Sequence, residues 1–395
     1  MGTTLLLTFD FPPHGGGIAR MMGELALKYP KGSLVVSTGR YPESASTDAA
    51  FPQVVDRASV PAERLRTAHG LVRWTARLET LYRRHAPGFA WCGTLKPAGY
   101  PARWLLARHG MPYGVVVHGT DLLLLREKIR GSPLRRWAAA KLLADAAAIV
   151  SNSSWTASLA KEVLTLLGRP DAIPRVQPVP LGTEPSRFRP GLDTRAVRAR
   201  FGLEGGPWLL TVARLEWHKG IDTVIRTLPA IRAAHPAARY AVAGVGPRRA
   251  ALLALISELG LDGAVRLLGP ASDADLPALY NAADLYLGPS RLAEQMVEGF
   301  GISLVEASAC GIAVVAGRSG GVPDAVRDGE TGILVDPDDP AAVAKGVNDL
   351  LGDPERRKRM GAAGRRAVET YYNWERVARD FIRIDEATRR PPAGR

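Results

Sequence analysis

Short apolar runs rich in β-branched residues alternate with longer stretches whose apolar positions recur at helical spacing, and this alternation continues through both halves of the chain. Runs at residues 4–9, 33–38, 89–92, 114–118 and 148–151 predict strands in the first half. Runs at 208–213, 240–243, 265–268, 285–288, 313–316 and 332–335 repeat the scheme in the second. Strands that alternate with helices pair in parallel, and a parallel sheet is covered on both faces. The expected fold class is α/β, with two Rossmann-like domains. Such sheets bind ligands at the carboxyl ends of their strands, so the residues just after each strand carry the interest.

Residues 177–190 separate the two series and hold four prolines, which cannot continue a helix or a central strand. They read as a linker between a domain at 1–176 and a domain at 191–372. From 373 onward Trp374, Val377, Phe381 and Ile384 fall on one helical stripe. The segment 373–395 is therefore expected to be a helix that docks back across the linker onto the first domain. A chain of 395 residues is long enough for two cores.

Charge is distributed unevenly. Residues 1–190 hold 25 Lys and Arg against 13 Asp and Glu, whereas the remainder hold 27 against 26. A basic half beside a neutral one suggests that the first domain meets something anionic. Six arginines lie in 62–85 (Arg64, Arg66, Arg73, Arg77, Arg83, Arg84) with Trp74. Segment 126–141 holds Arg126, Lys128, Arg130, Arg135, Arg136 and Lys141 with Trp137. Basic helices with a tryptophan suit an anionic lipid surface, while a solvated arginine-rich face is the plainer reading. The only cysteines, Cys92 and Cys310, indicate neither a disulfide framework nor a zinc site. The first residues lack a basic leader, and no apolar run reaches the roughly 20 residues that span a bilayer. The expected location is cytoplasmic, with peripheral contact on the inner face of the membrane.

Four post-strand loops carry candidate chemistry. Pro12-Pro-His-Gly-Gly-Gly-Ile-Ala19 brings Gly16 and Gly17 to a helix start, where backbone amides approach a phosphate or simply make a tight turn. Ala213-Arg-Leu-Glu-Trp-His-Lys-Gly220 sets Arg214 and Lys219 five residues apart, within reach of one diphosphate unless they form a solvated basic loop. Glu298-Gly-Phe-Gly-Ile-Ser-Leu-Val-Glu306 places Glu298 on a loop and Glu306 inside a helix opened near Ile302 and Ser303. A carboxylate there can accept from both ribose hydroxyls, or both glutamates can be ordinary surface charges. His118 ends a strand, as a structural or a catalytic histidine, and Asp121 follows as a weaker acceptor contact.

Together these motifs resemble the retaining glycosyltransferases of family 4 with the GT-B fold, a group that includes bacterial mannosyltransferases acting on phosphatidylinositol. The resemblance runs from Gly15-Gly-Gly-Ile-Ala through His118-Gly-Thr-Asp, Arg214-x4-Lys219-Gly and Glu298-x7-Glu306 to the final helix. It implies two Rossmann-like domains facing a central cleft and a hexosyl transfer from a UDP- or GDP-linked donor. It assigns the donor diphosphate to Arg214, Lys219, Gly16 and Gly17, and the ribose to Glu306. The donor sugar falls to Glu298 with the amides of Phe300, Gly301 and Ile302, and His118 stands near the reacting carbon. No metal or other cofactor is expected, and the acceptor is lipid-linked or otherwise anionic. Front-face attack follows, with the leaving phosphate oxygen taking the acceptor's proton. Two departures stand out: Leu181-Gly-Thr-Glu where relatives often have Gly-Val-Asp, and the bulky Trp217-His218 before Lys219.

Two other classes compete. A sugar-nucleotide epimerase shares the architecture and needs no acceptor, and a non-catalytic basic protein would use the first domain but leave the glutamates idle. A nicotinamide-dependent oxidoreductase is disfavoured because Ser37-Thr-Gly-Arg40 supplies no acidic residue after the second strand. Nucleic acid is not an expected partner.

Overall fold

The computed structural model describes residues 2–389, leaving aside the side chains of 58–63. Of the expected terminal segment, 390–395 lie outside the described residues. The chain forms two compact units, one running to Pro180 and resuming at Trp374, the other Leu181–Asn373.

The first unit holds seven strands: β1 (Thr4–Leu7), β2 (Leu34–Arg40), β3 (Val54–Pro61), β4 (Phe89–Cys92), β5 (Tyr113–Val117), β6 (Ala148–Ser151) and β7 (Val176–Pro178). They form one parallel sheet in the order β3-β2-β1-β4-β5-β6-β7. Leu5, Leu6, Leu7, Val35, Val36, Val115, Val116 and Val117 are all buried, as strands covered on both faces require. Gly114 on β5 makes room for Trp91 on β4: a Cβ there would lie 2.3 Å from the indole ring.

The second unit has six strands: β8 (Trp208–Val212), β9 (Arg239–Ala243), β10 (Val265–Gly269), β11 (Leu285–Gly288), β12 (Val314–Gly317) and β13 (Gly332–Val335). The sheet is parallel in the order β10-β9-β8-β11-β12-β13. In each unit the chain order reverses beside the first strand, next to β1 and next to β8. Loops on the two sides of that reversal diverge and open a crevice at the carboxyl edge.

The helix Trp374–Thr388 belongs to the first unit. Its stripe of Trp374, Val377, Phe381 and Ile384 is buried, and Phe381 lies 4.7 Å from Trp91 between ring centres. Asp385, fully buried, receives the guanidinium of Arg389 at 2.7 Å and the Thr4 hydroxyl, while burial raises its carboxyl pKa.

Three expectations need correction. Strand β3 went unread because Asp56-Arg57 interrupts its apolar run, and the structure pairs it with β2 at the sheet edge. Residues 177–178 belong to edge strand β7 rather than to a linker; an edge strand tolerates proline because one side of it needs no ladder donor. Trp74 is not a surface anchor: it is buried and its indole N–H donates to Ser37 Oγ at 2.9 Å.

Candidate active site

The second unit concentrates the candidate groups at the carboxyl edge around β8. After Val212 the chain turns sharply, with the Glu216 N–H donating to Arg214 O at 2.9 Å and the Lys219 N–H to Glu216 O at 3.1 Å. Leu215 is the buried plug of this loop, and its N–H donates to Val245 O at 3.0 Å. Gly220 adopts φ 68°, and a Cβ on it would stand 2.0 Å from Pro289 O, so only glycine starts the helix Ile221–Ala234 this close to β11.

Each cation of this loop faces a carboxylate. Arg214 Nη1 lies 2.6 Å from Glu216 Oε1, with the arginine side chain 64% exposed. Lys219 Nζ lies 2.5 Å from Glu298 Oε2, and both of these side chains are mostly shielded. Between them His218 is buried, and desolvation together with the nearby Lys219 charge lowers its pKa to about 4, so the ring is neutral at pH 7.

Glu298 stands on the loop after β11, and the Gly321 N–H braces that loop by donating to Glu298 O at 2.9 Å. Phe300 is buried, and Gly301 at φ 98° turns the chain into the helix Ile302–Ala309. The Ile302 and Ser303 amides that open the helix have no intrahelical acceptor, while the Leu304 N–H donates to Gly301 O at 3.0 Å, and the first two are suited to an anion or a sugar oxygen. Glu306 rides on the same helix, 3% exposed, and accepts a 2.7 Å hydrogen bond from the Tyr280 hydroxyl. Burial pushes the Tyr280 pKa well up, so the hydroxyl stays a donor. The Tyr286 hydroxyl accepts from Val212 N–H at 3.3 Å and donates to Val212 O at 3.2 Å, tying β11 to the end of β8.

In the first unit Gly16 is exposed at φ 115° and precedes the helix Gly17–Lys28. A Cβ on Gly16 meets nothing within 4 Å, so the backbone angle, not crowding, accounts for glycine there. His118 follows β5, and its Nε2 lies 2.7 Å from Gly93 O. A carbonyl only accepts, so Nε2 carries the proton, and in the neutral ring Nδ1 is left as an acceptor. Asp121 serves its own helix: Oδ1 accepts from the N–H groups of His118 and Leu122, each at 3.0 Å, and Oδ2 is buried. Only Oδ1 is engaged in this way; Oδ2 has no hydrogen-bond partner among the described residues.

The structure thus pairs Lys219 with Glu298 and Arg214 with Glu216. Glu216 and Tyr280 went unread in the sequence. Glu216 was visible between two cations, whereas Tyr280 lies in another helix and carries no local signal. Among the described residues no group of three or more His, Cys, Asp or Glu is placed to hold a metal ion. No helix among them is long and apolar enough to cross a membrane.

Comparison with known proteins bears on this arrangement. Residues 193–367 match the family of glycosyl transferases group 1, and residues 15–183 match glycosyltransferase family 4. The chain is 33% identical to a GDP-mannose-dependent alpha-(1-6)-phosphatidylinositol monomannoside mannosyltransferase of Mycolicibacterium smegmatis, covering 94% of each. It is 35% identical to a D-inositol 3-phosphate glycosyltransferase of Salinispora tropica over 62% of this chain and 52% of that protein. Anabaena Alr3699/HepE, solved with UDP and glucose, superposes with a TM-score of 0.77 at 19% identity, covering 98% of this chain and 100% of the other, and so supports the two-domain GT-B fold. None of this lends support to the epimerase or the non-catalytic binding protein.

Proposed function

This chain belongs to the family 4 glycosyltransferases, and from that premise we propose that it transfers mannose from GDP-mannose to a hydroxyl of an inositol-bearing anionic lipid, with retention at the anomeric carbon. One observation carries the reading: a chain matched along 94% of its length to a GDP-mannose-dependent enzyme sets Arg214, Lys219, Glu298 and Glu306 around one strand edge.

In this reading Arg214 and Lys219 bind the donor diphosphate, and Glu306, held by Tyr280, accepts from the ribose hydroxyls. Glu298 and the amides of Phe300, Gly301 and Ile302 hold the sugar. In the first unit Gly16 and Gly17 offer backbone to phosphate, and His118 Nδ1 accepts from a sugar hydroxyl. The bond from the anomeric carbon to the phosphate oxygen breaks with its electron pair moving to that oxygen. The acceptor oxygen bonds the same face of the carbon, and its proton passes to the leaving phosphate. Arg214 and Lys219 stand where negative charge grows, the role a divalent ion fills elsewhere.

The lipid acceptor and a peripheral place on the cytoplasmic face of the membrane draw support from the helix Pro133–Ala144. It exposes Leu134 at 74% and Trp137 at 60% beside Arg135 and Arg136. The experiment is calorimetric titration with GDP, UDP and ADP without metal, followed by mannosyl transfer to vesicles carrying mannosylated phosphatidylinositol or to soluble D-inositol 3-phosphate. Selective GDP binding with transfer to the vesicles supports the proposal. Preference for UDP, or transfer to the soluble acceptor alone, replaces it.

A further inference from the structure

The pairing of Arg214 with Glu216 bears on how the nucleotide is held and let go, and it rests on the reading of this loop as a diphosphate site. Carboxylate and phosphate are the same kind of partner for a guanidinium fork, so a ligand phosphate reaching Arg214 must take it from Glu216 or share it. Of the two side chains Glu216 is the anchored one, 20% exposed against 64% for Arg214. Its N–H and C=O both close the turn, to Arg214 O and from the Lys219 N–H, and its Oε2 lies 3.5 Å from Nδ1 of the buried His218.

With Lys219 on Glu298, these two cations are each matched by a carboxylate, while Arg248, its guanidinium 4.7 Å from the centre of the Trp217 ring, adds a further positive charge beside the loop. A diphosphate therefore meets Arg214 and Lys219 already engaged by carboxylates. We infer that Glu216 is a resident competitor for Arg214, a positioning residue that lowers the affinity for nucleoside diphosphate and so speeds its departure after transfer. Arg214, mostly in solvent, moves between carboxylate and phosphate while Glu216 stays in place. Sugar transfer leaves the free diphosphate as product, and turnover requires that it go.

Calorimetry with GDP and with guanosine tests this on the full chain, comparing the unaltered protein, Glu216→Gln, Arg214→Ala and the double variant. Glu216→Gln is expected to bind GDP about three- to tenfold more tightly, the effect of removing one partly exposed competing charge. Guanosine, which lacks phosphate, should show no change, and the gain should vanish when Arg214 is alanine. GDP should also become the stronger product inhibitor of Glu216→Gln by the same factor. Weaker or unchanged GDP binding in Glu216→Gln overturns the inference, since a residue that orients Arg214 for the ligand would give that result. Glu216→Ala replaces the glutamine variant if that variant does not fold. Absence of GDP binding by the unaltered chain overturns the diphosphate site itself, and the inference with it; binding there without a shift in the variant overturns the inference alone.

Discussion

Lys219 Nζ lies 2.5 Å from Glu298 Oε2, joining two residues 79 positions apart on neighbouring loops of one sheet edge. The contact depends on glycines at both ends. Gly220 lets the lysine loop pass against Pro289 O, and Gly301 turns the chain from Glu298 into its helix. Both side chains are mostly shielded, and an anionic ligand that reaches Lys219 competes with the Glu298 carboxylate for it.

Replacing Lys219 with alanine removes one of the two cations proposed for the diphosphate and leaves Glu298 facing it uncompensated. Affinity for GDP should fall by about 1.5–3 kcal/mol, the range for a hydrogen bond to a charged group. Calorimetry on Lys219→Ala checks this, and unchanged affinity would take Lys219 out of the site. Adding Glu298→Gln should recover part of the loss, because the repulsion then disappears.

Glu306 and Tyr280 make a second pairing, a carboxylate with a hydroxyl donor, buried and 2.7 Å apart. Glu306→Gln keeps an acceptor for Tyr280 but weakens the grip on two ribose hydroxyls. Affinity should drop more for GDP than for inorganic diphosphate; equal losses contradict the ribose role. Tyr280→Phe removes one donor from a buried carboxylate and should destabilise the second unit by about 1–3 kcal/mol in chemical unfolding.

How far these sites are legible in sequence depends on which forces made them. The strands of the second unit are apolar runs such as Leu209–Leu210 and Val314–Val315, buried on both faces, and such runs announce themselves. Edge strands β3 and β7 escape because Asp56, Arg57 and Pro178 are tolerated where one side lacks a partner. Glycine loops are legible because the constraint is local. Pairings such as Arg214 with Glu216 are not, since a rotamer decides them. Trp74 and Trp137 make the same point, each sitting in a basic amphipathic stretch of equal appeal. Only the packing of the first against Ser37 distinguishes them.

His218 gives the fold a pH dependence. Its folded-state pKa is about 4 against an ordinary 6.5, because burial and Lys219 disfavour the charged ring, with Arg214 acting the same way and Glu298 and Glu216 opposing. Between those values the unfolded chain binds a proton that the folded chain does not, so stability falls as pH drops from about 6.5 toward 4. His218→Asn has no such proton to bind. The thermal midpoint of the unaltered chain should therefore fall more steeply between pH 7.5 and 4.5 than that of the variant, and parallel curves would show that burial at this site carries no such cost.

The exposed pair Leu134 and Trp137 tests the membrane proposal without touching the donor site. The two residues are one helical turn apart, their side chains largely in water, so Leu134→Ser with Trp137→Ser should leave the thermal midpoint nearly unchanged. On anionic vesicles containing phosphatidylinositol, the doubly substituted chain should sediment at least roughly tenfold more weakly, since even one large apolar side chain contributes about 1.5–3 kcal/mol when fully buried. Raising salt should weaken the unaltered chain as well, because Arg135 and Arg136 act through a screened surface potential. Equal sedimentation of the two proteins would move the contact to another face. Equal sedimentation of the unaltered chain with phosphatidylcholine and with anionic vesicles would remove the basic surface from the argument and leave the lipid acceptor supported only by the chain's relatives.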